Sequence, residues 1–402
     1  MSTRTASNHS YDMREHLLPQ RITNAMWDFS WLNGHYPGGP FADWDRALDD
    51  LLERRFNTVR IDAFPHIVGG TASPRQMLKA SPLLNWGHST VDQEHDYAAE
   101  LIEFVGKCQQ RGIGVILSTW SAKEIAIPDG AQGDERFHPL WRAWERTLDL
   151  LAKHDLLGCI LYVDFDQEFP YFSNLQPLLA KLAGGDVSVP VNAADAMEAA
   201  GRRETGPRQL AWNPAQMKLV SDYFAATCRH FQQRYPALRF TFSLTSFWKE
   251  VRAMGLQVFD VLELHLWIQY SPRFEVRTGF NSLTKDRGAH DYKDYMKRLR
   301  DSFRSMRPMF MQAMHNQMRE AMEWSREIAA PLVTTEAWGP WWHMDHPDLQ
   351  WDWLRDWCEE CMAAAPSYDF WGVTPWNYSH PYWENWSDVA WYQRVNERFL
   401  KS

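Results

Sequence analysis

LYVDFDQEFP, residues 161–170, is the stretch on which the reading of the whole chain turns. Leu161, Tyr162, Val163 and Phe165 make an apolar run that predicts a buried strand, yet three carboxylates, Asp164, Asp166 and Glu168, crowd its end. Like charges packed that closely cost folding free energy unless solvent, partners or shifted pKa values relieve them. A charged side chain at a strand end can point into a site instead of into packed interior, so the arrangement raises the question of what the other strand ends carry.

Working outward, short β-rich runs alternate with amphipathic stretches along the chain. The spacing predicts strands at 24–31 (NAMWDFSW), 58–64 (TVRIDAF), 114–120 (GVILSTW), 159–165 (CILYVDF), 239–245 (RFTFSLT), 261–268 (VLELHLWI), 332–338 (LVTTEAW) and 371–377 (WGVTPWN). Helical patterns lie between them, among them 43–55, 96–112, 216–235 and 311–330. Near-continuous apolar strands separated by helices indicate a parallel sheet covered by helices, and eight such units indicate a closed α/β (β/α)8 TIM barrel. Connections entering the strands are short, as in RFN, GI, DLLG and PAL. Those leaving them are long, roughly 66–95, 121–137, 169–213 and 271–290. All the elaboration therefore sits on the face at the carboxyl ends of the strands, where barrel enzymes build their sites. The expected organisation is an N-terminal tail over 1–20 and one barrel domain over 21–402, with an insertion at about 169–213.

Composition narrows the function. An apolar fraction of 45% and a charged fraction of 23% over 402 residues are those of an ordinary globular protein. A net charge of −9 argues against nucleic acid as a partner, since phosphate binding needs a basic surface. No window approaches a membrane span, and the polar start MSTRTASNHSYDMREHLLPQ has no signal-peptide core. Five scattered cysteines suit a reduced compartment, so the expected location is cytoplasmic, with no nucleic-acid or membrane partner; a homo-oligomer stays open. Aromatic usage stands apart. Twenty-two tryptophans, about one residue in eighteen, exceed what a core needs, and flat rings with one polar edge suit the apolar faces of sugars.

The strand ends carry the chemistry. Strand two offers Arg60 and Asp62, strand four Gln167 and Glu168, strand six His265 and Trp267, strand seven Glu336 and strand eight Trp376 and Asn377. Carboxylates on strands four and seven lie across a barrel mouth from one another and can straddle a glycosidic bond. Retaining hydrolysis needs such a pair, one to protonate the leaving oxygen and one to attack the anomeric carbon, with carboxyls roughly 5–5.5 Å apart. Asp164 and Asp166 would help keep Glu168 protonated, and a guanidinium from Arg60 would keep the nucleophile ionised.

These motifs resemble a known family. RRFNTVRIDAF is similar to the second strand of clan A glycoside hydrolases, notably the cellulase-like family 5 enzymes. DQEFP resembles the clan's Asn-Glu-Pro at strand four, ELHLW its His-x-Tyr at strand six, TTEAW its strand-seven nucleophile and TPWN its strand-eight tryptophan. The resemblance runs in register from about residue 50 to 385. It implies a retaining glycoside hydrolase acting on a β-linked oligosaccharide or glycoside, with no cofactor and no metal. Glu168 would be the acid/base, Glu336 the nucleophile and Arg60 its orienting partner. His265 would hydrogen-bond around the nucleophile, and Trp376 would stack on the sugar. Two departures stand out. Gln167 replaces the asparagine that holds the sugar 2-hydroxyl, and Trp267 replaces a tyrosine whose hydroxyl Tyr270 would have to supply.

Plainer readings compete at each position. Glu336 could form a strand-end ion pair, Asp166 could be the acid in place of Glu168, Arg60 could simply pair with Asp62, and His265 could be a core histidine. Trp27 and Asp28 at strand one, Trp120 after strand three, and Trp338, Trp341 and Trp342 after Glu336 are further candidate sugar contacts. Cys358 and Cys361 lack a second pair at zinc-ribbon spacing, and His343 and His346 suit hydroxyl contacts better than a metal. The expected substrate is a small saccharide. The alternatives are a carbohydrate-binding barrel that has lost catalysis, or a transglycosylase using the same residues.

Overall fold

The structure is a computed structural model that describes residues 20–80, 89–183, 212–245, 247–271, 274, 277, 292–340 and 351–402. Most of the expected tail and insertion, and Trp341, Trp342, His343 and His346, lie outside the described residues.

Twelve strands are described, eight of which form the barrel wall. These are β1 (Ile22–Asp28), β2 (Thr58–Asp62), β5 (Gly114–Ser118), β6 (Ile160–Asp164), β7 (Phe240–Thr241), β8 (Leu262–Glu263), β10 (Leu332–Thr334) and β12 (Phe370–Val373). They pair in parallel in the order β7-β6-β5-β2-β1-β12-β10-β8. Between β7 and β8 the wall is joined by a parallel bridge at Leu244 and Leu264, where the Leu244 amide donates to Glu263 O (3.1 Å) and the His265 amide to Leu244 O (2.8 Å). The expected barrel is thus present, with every strand where the alternation placed it. The extents differ, most of all at β7 and β8, which are shorter than expected. β1 begins two residues earlier and β12 ends at Val373, leaving Thr374–Asn377 beyond the sheet.

Short strands β9 (Leu266–Trp267) and β11 (Ala337–Trp338) continue the wall above β8 and β10. β3 (Arg75–Leu78) and β4 (Gln93–Asp96) form an antiparallel hairpin in the long connection after β2, which strand periodicity did not mark. The helix expected at 311–330 runs Tyr292–Ile328 and carries Pro308 inside it, beginning well before 311.

Alternation along β6 explains the layers. Tyr162 joins Ile22, Ile116, Val261 and Val333 in a small apolar plug inside the barrel. Val163 and Phe165 face outward into the larger core beneath the helices, where Phe165 stacks on Phe240 at 5.4 Å. The plug is tight: a Cβ at Gly372 would stand 2.5 Å from Ile22 Cγ1, so only glycine fits there. Asp43, Asp96, Asn213 and Asp388 cap four of the covering helices by accepting backbone N–H bonds. Among the described residues no helix is long and apolar enough to cross a membrane.

Candidate active site

Above the plug the barrel interior turns polar. Arg60, fully buried, projects inward from β2 and reaches across the barrel. Its Nε and Nη2 donate to the two oxygens of Asp28 at 2.8 and 2.9 Å. Nη1 donates to Thr335 Oγ1 at 2.5 Å and to Glu263 Oε1 at 3.4 Å, and Nη2 also donates to Glu336 Oε1. The competing pairing with Asp62 is not made. Burial by itself would lower the Arg60 pKa, but Asp28, Glu336 and Glu263 outweigh it and hold the guanidinium charged.

Glu336 lies just past β10, almost entirely buried. Gln167 Nε2 donates to the same Oε1 at 2.6 Å, while Gln167 Oε1 accepts from Ser118 (2.8 Å) and Ser243 (3.1 Å). These two hydroxyls fix the orientation of the amide. Oε1 of Glu336 is therefore fully engaged, and Oε2 lies 3.7 Å from His265 Nδ1. Burial, reinforced by Glu168 and Asp28 against the pull of His265 and Arg60, raises the Glu336 pKa to about 7.

Glu168 sits at the tip of β6 with φ of 50°, a left-handed conformation that is costly for a residue with a Cβ. The turn is held by the Glu168 amide donating to Ser243 Oγ (2.9 Å) and the Phe169 amide to Ser243 O (3.0 Å). Its Oε1 lies 3.0 Å from His265 Nδ1. A carboxylate oxygen of Glu168, one of Glu336 and a ring nitrogen of His265 all lie within 4.8 Å of one another. The two glutamates expected from strands four and seven therefore converge on one point. The same spacing could hold a cation, and Arg60 already pairs with Glu336.

Other expected residues are placed differently. Asp62 is fully buried, and its two oxygens accept the backbone amides of Phe64 (2.7 Å) and Trp120 (2.9 Å); it braces two loops and does not face substrate. Asp164 accepts from Ser118 Oγ (2.8 Å) and the Ser243 amide (2.8 Å). Asp166 lies against Ser173 and Tyr223, buried, with its pKa pushed well up by desolvation and Asp164. The crowding at the end of β6 is thus relieved by hydrogen bonds to Asp164 and by the raised pKa that keeps Asp166 neutral, while Glu168 meets His265. Asp28 likewise serves Arg60 and has no exposed surface.

The tryptophans divide sharply. Trp27 donates its indole N–H to Ser379 O and packs edge-on to Phe41 in the outer core. Trp338 donates to Thr374 O (2.8 Å). Trp376 donates to Tyr392 Oη (2.7 Å) and packs against Trp391 and Trp351. All three are fully buried, so none offers a ring face to a sugar as expected: Trp27 and Trp338 point outward from their strands, and Trp376, beyond the end of β12, is enclosed by Trp391, Trp351 and Tyr392. Trp267 is covered too, its ring edge-on to His265 at 6.5 Å. Tyr270 bonds through its hydroxyl to Thr245 Oγ1. Asn377 is buried, and neither end of its amide has a hydrogen-bond partner among the described residues. Among the described residues Trp120 alone of the expected tryptophans keeps exposed surface, held edge-on by Phe29 (6.1 Å) and Phe172 (4.7 Å).

Three residues that complete the centre were missed: Glu263, Thr335 and Ser243. The signal for Glu263 was present, because in LELHLW positions 263, 265 and 267 share one strand face.

No curated protein sequence matches the chain. Among solved structures, a protein of Parabacteroides distasonis ATCC 8503 provisionally designated a glycoside hydrolase is similar with a TM-score of 0.76 and 26% identity, over 95% of this chain and 94% of that one. A glycoside hydrolase family 5 mannosidase from Rhizomucor miehei aligns over 95% and 94% at 11% identity and a TM-score of 0.49, too distant to bear on function. The family model described as sugar-binding cellulase-like matches residues 24–400, nearly the whole chain. With that match and this barrel, the chain belongs to the cellulase-like family.

Proposed function

We propose that this protein is a retaining β-glycoside hydrolase in which Glu168 is the acid/base and Glu336 the nucleophile. The observation that carries the reading is the approach of the two carboxylates to within 4.8 Å. That approach supports direct attack by one carboxylate, and it is shorter than the roughly 6.5–9.5 Å between carboxyls of an inverting enzyme, which admits a water between them. Glu168 gives its proton to the glycosidic oxygen as the aglycone leaves. Glu336 attacks the anomeric carbon through Oε2, since Oε1 is held by Arg60 and Gln167, and a glycosyl ester forms. Glu168, now a carboxylate, takes a proton from a water molecule whose oxygen attacks the same carbon and releases Glu336. Labelling with a 2-fluoroglycoside tests this directly: the label is expected on Glu336, and turnover with inverted anomeric configuration would refute it.

The pH profile follows from the same groups. Glu336 must be ionised to attack, and its ionised fraction grows as pH rises through a pKa pushed up to about 7. The acidic limb of kcat/KM is therefore expected near neutrality, well above the ordinary carboxylate range. An acidic limb near pH 4 would count against the nucleophile assignment.

Trp120 is the surface we assign to the saccharide, a half-buried ring for an apolar sugar face. Trp120→Ala is expected to raise KM roughly 5–30-fold, about 1–2 kcal/mol of lost stacking, with kcat little changed. Trp376→Ala should instead lower stability by ~3–5 kcal/mol through a core cavity. Thermal melts and Michaelis curves on both variants separate the two roles.

A further inference from the structure

Glu263 is a carboxylate of this centre for which the two hydrolytic steps have no use, and it is fully buried. It stands two residues before His265, so strand alternation turns both side chains to the barrel interior. Its Oε1 accepts from Thr335 Oγ1, lies 3.4 Å from Arg60 Nη1 and 3.7 Å from His265 Nε2. Each of these neighbours touches or adjoins the reacting pair: His265 meets Glu168, Arg60 bonds Glu336, and Thr335 precedes Glu336 in the chain.

We infer that Glu263 is a positioning residue for the glycosidic reaction: its charge keeps His265 doubly protonated and Arg60 seated, and so holds both glutamates in their reacting places without touching substrate. The kinetic part rests on the retaining reading; the state of His265 does not.

Charge balance supplies the reason. Asp28, Glu263 and Glu336 converge on a single guanidinium, Glu168 adds a fourth carboxylate beside His265, and Asp164 and the Tyr162 hydroxyl are close enough to Glu263 to be affected by its charge. An imidazolium at His265 offsets part of that excess, with Glu168 at 3.0 Å and Glu336 at 3.7 Å from Nδ1. Two donors, Arg60 Nη1 and Gln167 Nε2, also approach Nε2 at 3.4 Å. Were Glu263 neutral, its oxygen would hold an Nε2 proton far more weakly than the carboxylate does, and the two donors would favour Nε2 as a bare acceptor. Burial would lower the His265 pKa, yet Glu336, Glu168 and Glu263 together hold it up at about 10.

Glu263→Gln tests this, since it keeps the shape and an acceptor oxygen and removes the charge. The expected result is a kcat lower by ~10–100-fold with KM within about 3-fold, a basic limb of the pH profile moved down by about one unit, and a matching fall in the His265 titration midpoint seen by 15N NMR of the imidazole. Glu263→Asp, which retains the charge, should restore the midpoint and most of kcat. A folded Glu263→Gln enzyme with an unchanged His265 midpoint overturns the inference, whatever its rate. If Glu263→Gln does not fold, the wild type decides: His265 is expected to show two ring N–H groups at pH 8, and a single one overturns it. Should the wild type hydrolyse no glycoside, the NMR result still stands by itself, and the proposed function alone fails.

Discussion

Glu336→Ala is expected to yield a folded barrel whose turnover of aryl β-glycosides falls by ~10⁴–10⁶-fold, a barrier increase of roughly 5–8 kcal/mol. The carboxylate removed is the one on which Arg60, Gln167 and His265 all converge. The fold should survive because Arg60 keeps Asp28 and Glu263 as partners and is not left a lone buried cation. Added azide should recover part of the rate by attacking from the vacated side, giving a glycosyl azide of inverted configuration. Glu168→Gln should show a comparable loss on substrates with poor leaving groups and a much smaller one on activated aryl glycosides, which need no protonation. Near-normal rates in both variants, measured on a folded protein, would remove the assignment.

Replacing Arg60 by methionine should have the largest effect on stability. The methionine fills the space but leaves Asp28, Glu263 and Glu336 buried without their shared cation, and stripping one partner from a buried ionic cluster costs roughly 3–5 kcal/mol. The pH dependence of that loss has a definite sign. Without Arg60 the three carboxylates have folded pKa values raised above their unfolded ones. Their neutral forms are then tolerated below the unfolded range, near pH 4, and stability is lost as pH rises through the raised values. The gap between wild type and Arg60→Met in urea denaturation should therefore be small at low pH and widest at neutral or alkaline pH. A gap that narrows toward alkaline pH would show that the carboxylates are not buried as described.

Much of this centre was legible in the one-dimensional pattern because barrel geometry turns order along the chain into position around a ring. Once LYVDFDQEFP was read as the fourth of eight strands, Glu168 and Glu336 had to face one another across the mouth, and they do. The choice between Glu168 and Asp166 was harder. It depends on where the chain leaves β6, and the left-handed turn at Glu168 sends its side chain to His265 while Asp166 lies against Tyr223. The tryptophans were the weakest reading. Composition shows that rings are abundant, but one residue of phase at a strand end separates a ring that can meet a sugar from one that packs beneath a helix. Trp27, Trp338 and Trp376 fall on the helix side, and Trp120, beyond the end of β5, does not.

By itself the sequence determined the eight-unit barrel, the face that carries the site and the two glutamates, because these follow from hydrophobic period and from residue order, which are local properties. Only the tertiary structure decided what those glutamates touch. Arg60 and Glu336 are 276 positions apart along the chain, and their pairing, like that of Arg60 with Asp28 and Glu263, depends on side chains meeting inside a closed ring. Coulomb interactions act through that enclosed space and not along the backbone, so the electrostatics of the centre could be read only once the ring was closed.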